Sequence, residues 1–284
     1  MKVSGDEPVK NLDLSTVNSF GDEWSRFDQT ALSEEEARRI FDEYFAVFPW
    51  DKLSKSATGF DMGCGSGRWA KLMAPRVGHL HCIDPSLALN VARVALSVAS
   101  NVTFHQASVD ENPLPPGSQD FGYSLGVLHH VPDTAKGIKT CVTMLKPGAP
   151  FLVYLYYAFD DRSAAFKLAW RISDMLRHGI CKLPPKLKHL MTDILATVLY
   201  YPLARYSLLV ERVGFDVANI PLCYYRSHSF YTMRTDSRDR FGTPLEQRFT
   251  KSEVQTMMMQ AGLKDIIFSD RAPFWCVVGY KELI

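Results

Sequence analysis

The densest concentration of chemistry in the sequence is Gly59-Phe60-Asp61-Met62-Gly63-Cys64-Gly65-Ser66-Gly67-Arg68-Trp69. It reads as a strand, a tight glycine turn and a helix. At Gly63 and Gly65 the backbone can bend and approach a ligand with no Cβ in the way, and Gly67 lets a helix pack close to a sheet. The free N–H groups of such a helix start favour an anionic or polar ligand. Asp84 stands seventeen residues after Gly67, at the end of a second apolar run, where a carboxylate can accept bonds from the hydroxyls of a ribose. So far a nicotinamide dinucleotide would fit equally well. Residues further along the chain discriminate. A third run ends in Gln106-Ala107-Ser108-Val109-Asp110, then comes Pro113-Leu114-Pro115, and a fourth run ends in Ser124-Leu125-Gly126-Val127-Leu128-His129-His130-Val131.

Taken together, these stretches make residues 57–157 resemble the class I S-adenosylmethionine-dependent methyltransferases, in the small-molecule branch that includes the quinone-biosynthesis enzymes. Residues 249–280 resemble the family more loosely, through Arg248-Phe249-Thr250, Glu253 and Ala261-Gly262. The resemblance implies S-adenosyl-L-methionine as cofactor and S-adenosyl-L-homocysteine as product. It implies that Gly63, Cys64, Gly65 and Gly67 lie along the methionine and ribose, that Asp84 with Pro85 meets the ribose hydroxyls, and that Ser108 and Val109 border the adenine. Leu125 and Gly126 then lie near the methionine end. Relatives commonly carry an acid where Ser108 stands, so an adenine hydrogen bond would come from Ser108, a backbone group or Asp110. Asp61 has two readings: contact with the methionine amino group, or a strand-end residue that orients the glycine loop.

Methyl transfer from a sulfonium is a displacement, so the protein mainly has to align the nucleophile and exclude water, with a base needed only where a proton leaves early. His129, His228 and Asp239 are the candidates for that base. In relatives with the Leu-His-His-Val pattern one histidine belongs to the turn itself, and His130 is assigned to that structural part. Tyr154, Tyr156 and Tyr157 end the fifth run, and alternation puts Tyr154 and Tyr156 on one face; ordinary packing competes with lining an acceptor pocket. The stretch 224–236, with Tyr225, Arg226, Tyr231 and Arg234, is dense in aromatic and hydrogen-bonding groups and reads as a loop suited to a polar acceptor such as a sugar hydroxyl. Near the start, Phe20, Gly21, Glu23 and Trp24 mark an aromatic arm that resembles one in methyltransferases tied to glycan and secondary-metabolite pathways, and it is expected to fold over the cofactor pocket.

The elements that must position these groups follow from periodicity. Short apolar runs near 57–62, 79–83, 102–105, 120–125 and 150–157 alternate with helix-length segments beginning near Gly67, Leu87 and Thr134, the signature of a parallel sheet. Strands near 264–269 and 274–280 close the chain. Ser33 with Glu36, and Thr250 with Glu253, are capping-box signals. The expected fold is α/β, a Rossmann-like, mostly parallel sheet of about seven strands with helices on both faces. An N-terminal helical arm (1–56) precedes the core (57–157), a large helical insertion after strand five (158–246) forms a substrate lid, and 247–284 complete the core. Within the insertion, helices are expected at about 164–178 and 187–212, separated by Pro184-Pro185.

Composition narrows the rest. A net charge of +1 gives no global pull toward nucleic acid, although residues 162–226 hold ten Lys/Arg against four Asp/Glu. The six cysteines show no CxxC pair, so reduced buried thiols are expected and no metal. Met1–Pro8 shows no secretory pattern, and the apolar stretch Leu187–Val210 is broken by charges, so a cytoplasmic protein is expected. The leading expectation is O-methylation of a saccharide-like or secondary-metabolite hydroxyl. Alternatives are a tRNA-base methyltransferase, N- or C-methylation of a lipid-like or quinone-like acceptor, and a cofactor-binding partner without turnover. Weak membrane-surface contact through the basic insertion is also expected, because apolar stripes such as Leu168, Ile172 and Leu176 run beside its Lys and Arg residues.

Overall fold

A computed structural model describes residues 10–160 and 162–283; the reading of Met1–Pro8 lies outside them. The core is a seven-stranded sheet in the order β3-β2-β1-β4-β5-β7-β6. Its strands are β1 (Thr58–Met62), β2 (His79–Ile83), β3 (Val102–His105), β4 (Phe121–Leu125), β5 (Pro150–Tyr154), β6 (Leu263–Phe268) and β7 (Cys276–Lys281). The first five pair in parallel, whereas β7 runs antiparallel to both β5 and β6. Central β1 and β4 are covered on both faces, and Gly59 and Gly122 make room there for the rings of Phe121 and Phe60 on the partner strand. The helices α3 (Arg68–Met73), α4 (Ala88–Ala95), α5 (Thr134–Met144) and α10 (Lys251–Gln260) pack on the sheet's two faces in two apolar clusters.

The arm is helical throughout its main elements. In α1 (Leu14–Arg26), the Asp13 side chain accepts from the Thr16 N–H, a cap the sequence reading did not single out. Before α2 (Glu34–Tyr44), Ser33 caps the Glu36 N–H as expected, but the Glu36 carboxylate turns away to accept from Ser229 N–H and the Thr232 hydroxyl. A tertiary partner thus displaces half of the capping box. At Thr250 the full reciprocal box forms.

The insertion carries α6 (Ala164–Ile180), α7 (Pro185–Leu195), α8 (Tyr201–Arg212) and α9 (Phe230–Gly242), with a π-helical stretch at Ala196–Tyr200 joining α7 to α8 just ahead of Pro202. Here one expectation fails: the stretch read as a recognition loop is helical, a 3-10 turn at Cys223–Ser227 followed by α9 with Ser229 as its cap. The reason is tertiary. This helix is enclosed on several sides, so its polar residues reach fixed partners instead of forming one solvated face: Arg238 bonds Ser19 and Asp22, and Arg234 bonds Asp193. The apolar stripes of α6 to α8 largely face outward; Leu168 (59%), Ile172 (55%), Met175 (75%) and Val198 (64%) are exposed. Cys64, Cys82, Cys141 and Cys276 are buried free thiols, and Cys181 and Cys223 are free and half-buried.

Candidate active site

The glycine turn has the backbone its sequence requires. Gly63, Gly65 and Gly67 all take positive φ (79°, 53° and 78°). A side chain at Gly63 would strike Val127, and one at Gly65 would crowd the indole nitrogen of Trp24. Gly67 packs against Ala92 of α4 and Leu96, the residue that caps it, so it serves helix–helix contact where helix–sheet contact was expected. The turn opens onto a cavity of about 630 Å³.

One end of that cavity is walled by Gly63, Cys64, Gly65, Asp84, Pro85, Ser108, Val109, Leu125 and Gly126. Asp84 is oriented by three donors: the Gly65 N–H to one oxygen, and the Ser86 N–H and hydroxyl to the other. Burial pushes its carboxyl up, while those donors pull it back toward the ionised form. A carboxylate fixed at the wall, a Cβ-free glycine turn and a short polar edge at Ser108 together fit the ribose, methionine and adenine portions of S-adenosylmethionine.

Three residues assigned to this end lie off its wall. Asp61 is fully buried on β1 beside Tyr123, and burial raises its carboxyl to about 8, with the Tyr123 hydroxyl opposing the shift. Neither of its oxygens has a hydrogen-bond partner among the described residues. Gly67 is used in packing. Asp110 accepts from the Asn11 N–H and from Lys136, tying the arm to the core.

Sequence reasoning missed Arg68, which lines the same end and lies over the rings of Trp24 (5.2 Å) and Trp69 (4.3 Å). Its guanidinium suits the methionine carboxylate. The signal was available, since it is the first helical residue after the glycine turn.

The other end is walled by aromatic side chains: Tyr154, Tyr156 and Tyr157 from the end of β5, Trp170 from α6, Tyr200, and Tyr225 with Arg226. Trp24 covers the glycine turn from α1. Tyr231 and Arg234 are elsewhere: the Tyr231 hydroxyl accepts from the Gln29 N–H, and Arg234 joins Arg26 around Asp193.

The three base candidates separate. His129 is fully buried behind the wall, stacked on Tyr156 (3.8 Å between centroids), and burial holds its pKa well below the usual range. His228 sits under Tyr224 with Nδ1 donating to that residue's carbonyl, its pKa lowered to about 4 by burial. Neither lines the cavity. Asp239 does, and so does His130, which had been assigned to structure.

His130 Nδ1 lies 2.6 Å from the Leu245 carbonyl, which can only accept, so Nδ1 carries the proton and Nε2 presents a lone pair in the neutral ring. Nε2 faces Asp239 Oδ1 at 3.8 Å, and neither atom has a hydrogen-bond partner among the described residues. Tyr156 donates to the other Asp239 oxygen at 2.8 Å. Two unpartnered acceptors thus face each other in the cavity wall. Asp236, one turn earlier on α9, also lines it, and burial raises its carboxyl to about 6. The spacing of Asp236 and Asp239 was legible in the sequence, but their shared direction required recognising α9 as a helix.

A family model described as "Methyltransferase domain" matches residues 60–153. The chain is 32% identical over 151 residues to a ubiquinone biosynthesis O-methyltransferase from Hahella chejuensis, covering 50% of this chain and 61% of that protein. It is 38% identical over 98 residues to one from Marinobacter nauticus, covering 33% and 41%. The chain thus matches less than two thirds of the length of each of these two relatives. The solved structure of an O-methyltransferase family protein from Burkholderia thailandensis shares the fold, with a TM-score of 0.52 and 12% identity over 93% of this chain and 58% of that one.

Proposed function

We propose that this protein, whose residues 60–153 form a class I S-adenosylmethionine-dependent methyltransferase domain of the quinone-biosynthesis-like branch, is an enzyme that O-methylates a phenol- or quinol-like hydroxyl. The observation that carries the reading is the pair of unpartnered acceptors, His130 Nε2 and Asp239 Oδ1, in the wall of an aromatic chamber continuous with the glycine turn. S-adenosylmethionine supplies a methyl group on a positively charged sulfur, which leaves as a thioether. The residues of this chain bind, align and accept the proton. The aromatic walls sandwich the acceptor ring, and His130 Nε2 takes the hydroxyl proton as the oxygen–methyl bond forms. Asp239, held by Tyr156, faces the resulting imidazolium and stabilises it.

Walls so rich in rings favour a flat apolar acceptor over the saccharide first expected, and the names of the two relatives agree with that choice. The outward apolar face of α6 to α8 supports an additional contact with a lipid surface: Leu199 and Leu203 line the cavity while neighbouring Val198 is exposed. An acceptor with an apolar tail could then span chamber and bilayer. Among the described residues no helix is long and apolar enough to cross a membrane.

The test is incubation with methyl-labelled cofactor and separate polyhydroxylated aromatic, saccharide and RNA acceptors. Label is expected in the aromatic pool as an alkali-stable ether. Label confined to saccharide or RNA would overturn the acceptor assignment, and tight cofactor binding with label in no pool would favour a partner without turnover.

A further inference from the structure

On the far side of α1 from the cofactor cavity lies a second crevice of about 610 Å³, closed by the end of α6 and the start of α7. The helix divides its residues between the two spaces. Thr16, Val17, Phe20 and Trp24 face the first; Ser15, Asn18, Ser19 and Asp22, spaced as one helical stripe, face the second.

Lys188, in the first turn of α7, lines this crevice and is only 7% exposed, yet its ammonium has no ion-pair or hydrogen-bond partner among the described residues. Burial and the neighbouring Arg238 guanidinium press its pKa below the usual lysine range. The stem of this lysine is buried while its unpartnered ammonium opens on the crevice, a placement that suits an anion. Two carboxylates, Asp22 and Glu23, act on it from α1, but neither bonds the ammonium. Asp22 is already held by Arg238 at 2.9 Å and by His189 at 3.0 Å. Lys182 stands exposed at the rim, and Ser15 and Asn18 supply neutral donors from α1.

We infer that this crevice binds a small phosphate-type oxyanion, with the Lys188 ammonium as its counter-charge, Lys182 at the rim, and Ser15 and Asn18 completing the shell. Point-charge ammonium groups and single donors converging from two helices suit a tetrahedral oxyanion, whereas a carboxylate is best met by a planar guanidinium fork. An anion there bridges α1 to α7 and so holds Trp24 against the glycine turn. Anion and cofactor therefore strengthen each other's binding, reciprocally. The binding stands apart from the methyl-transfer reading; the coupling rests on it.

The experiment titrates the full chain with inorganic phosphate at ionic strength held constant with potassium chloride, followed by calorimetry and by the Lys188 side-chain carbon signals in NMR. Saturable phosphate binding that moves the Lys188 signals is expected, weakened at least tenfold in Lys188→Met and a few-fold in Lys182→Gln. Phosphate indistinguishable from chloride, unmoved Lys188 signals, or unchanged affinity in Lys188→Met would overturn the site. Should Lys188→Met fail to fold, the exposed Lys182→Gln variant and the wild-type NMR signals decide alone. Acetate binding as tightly as phosphate would overturn the choice of anion. Cofactor affinity is measured with and without saturating phosphate, and a several-fold gain is expected. No gain would sink the coupling and leave the site, while phosphate binding in a chain that binds no S-adenosylmethionine would sink the cofactor reading instead.

Discussion

A histidine whose Nδ1–H is committed to a backbone carbonyl can accept a proton only at Nε2, and in His130, a residue of the cavity wall, that atom faces Asp239. Burial lowers the His130 pKa, with Asp239 opposing part of the shift. The sign matters for activity. A depressed pKa keeps the ring neutral and competent as a base below its ordinary value of about 6.5, so the acid limb of kcat/KM is expected below about pH 6.5. Replacing His130 with Gln should lower kcat about a hundredfold or more and remove that limb, with cofactor affinity within about twofold, as measured by pH–rate profiles and equilibrium binding. An unchanged limb would return the base to another group. His129 shows why the sequence could not choose between the two: adjacent residues in one turn, both buried, differ only in which side of the wall each ring occupies.

At the scale of elements, α1 is the helix that encloses the cofactor end, and its anchors are distributed. Ser19 donates to the Gly242 carbonyl, Asp22 meets His189 and Arg238, and Arg26 shares Asp193 with Arg234. Trp24 is the part of it that covers Gly65 and stacks with Arg68. Trp24→Ala is therefore expected to weaken S-adenosylmethionine binding about tenfold, on the order of 1.4 kcal/mol, with little change in the acid limb. Fluorescence or calorimetric titration reads the first and pH–rate profiles the second; unchanged affinity would mean the arm merely rests beside the site. The elements themselves were unevenly legible. Ser33, Asp133 and Thr250 act as local caps, so short-range chemistry announces those helices. In α9, neighbours from α1, α6 and α7 satisfy the polar residues, and no one-sided apolar pattern survives to reveal the helix.

For the molecule as a whole, the outward face of α6 to α8 is the feature least like an ordinary solvated surface, with Leu168, Ile172, Met175, Leu190, Ile194 and Leu209 all exposed beside Arg171, Lys182 and Lys186. Large apolar patches with a basic rim mark contact surfaces. Binding to anionic vesicles is expected at low salt, decreasing as salt rises, and reduced several-fold by Ile172→Glu with Met175→Glu while cofactor binding is kept. Flotation assays showing no low-salt binding would exclude the lipid surface as that partner.

The sequence by itself determined the glycine-turn half of the site. Strand, glycine turn and acid are contiguous or stand at a fixed interval, and their geometry is set by local φ and by the alternation of strands and helices. Only the tertiary structure decided the aromatic half and the second crevice. His130 and Asp239 are brought together by α9 crossing the end of β5, Lys188 by α7 meeting α1, and such meetings depend on how distant elements pack rather than on any spacing along the chain.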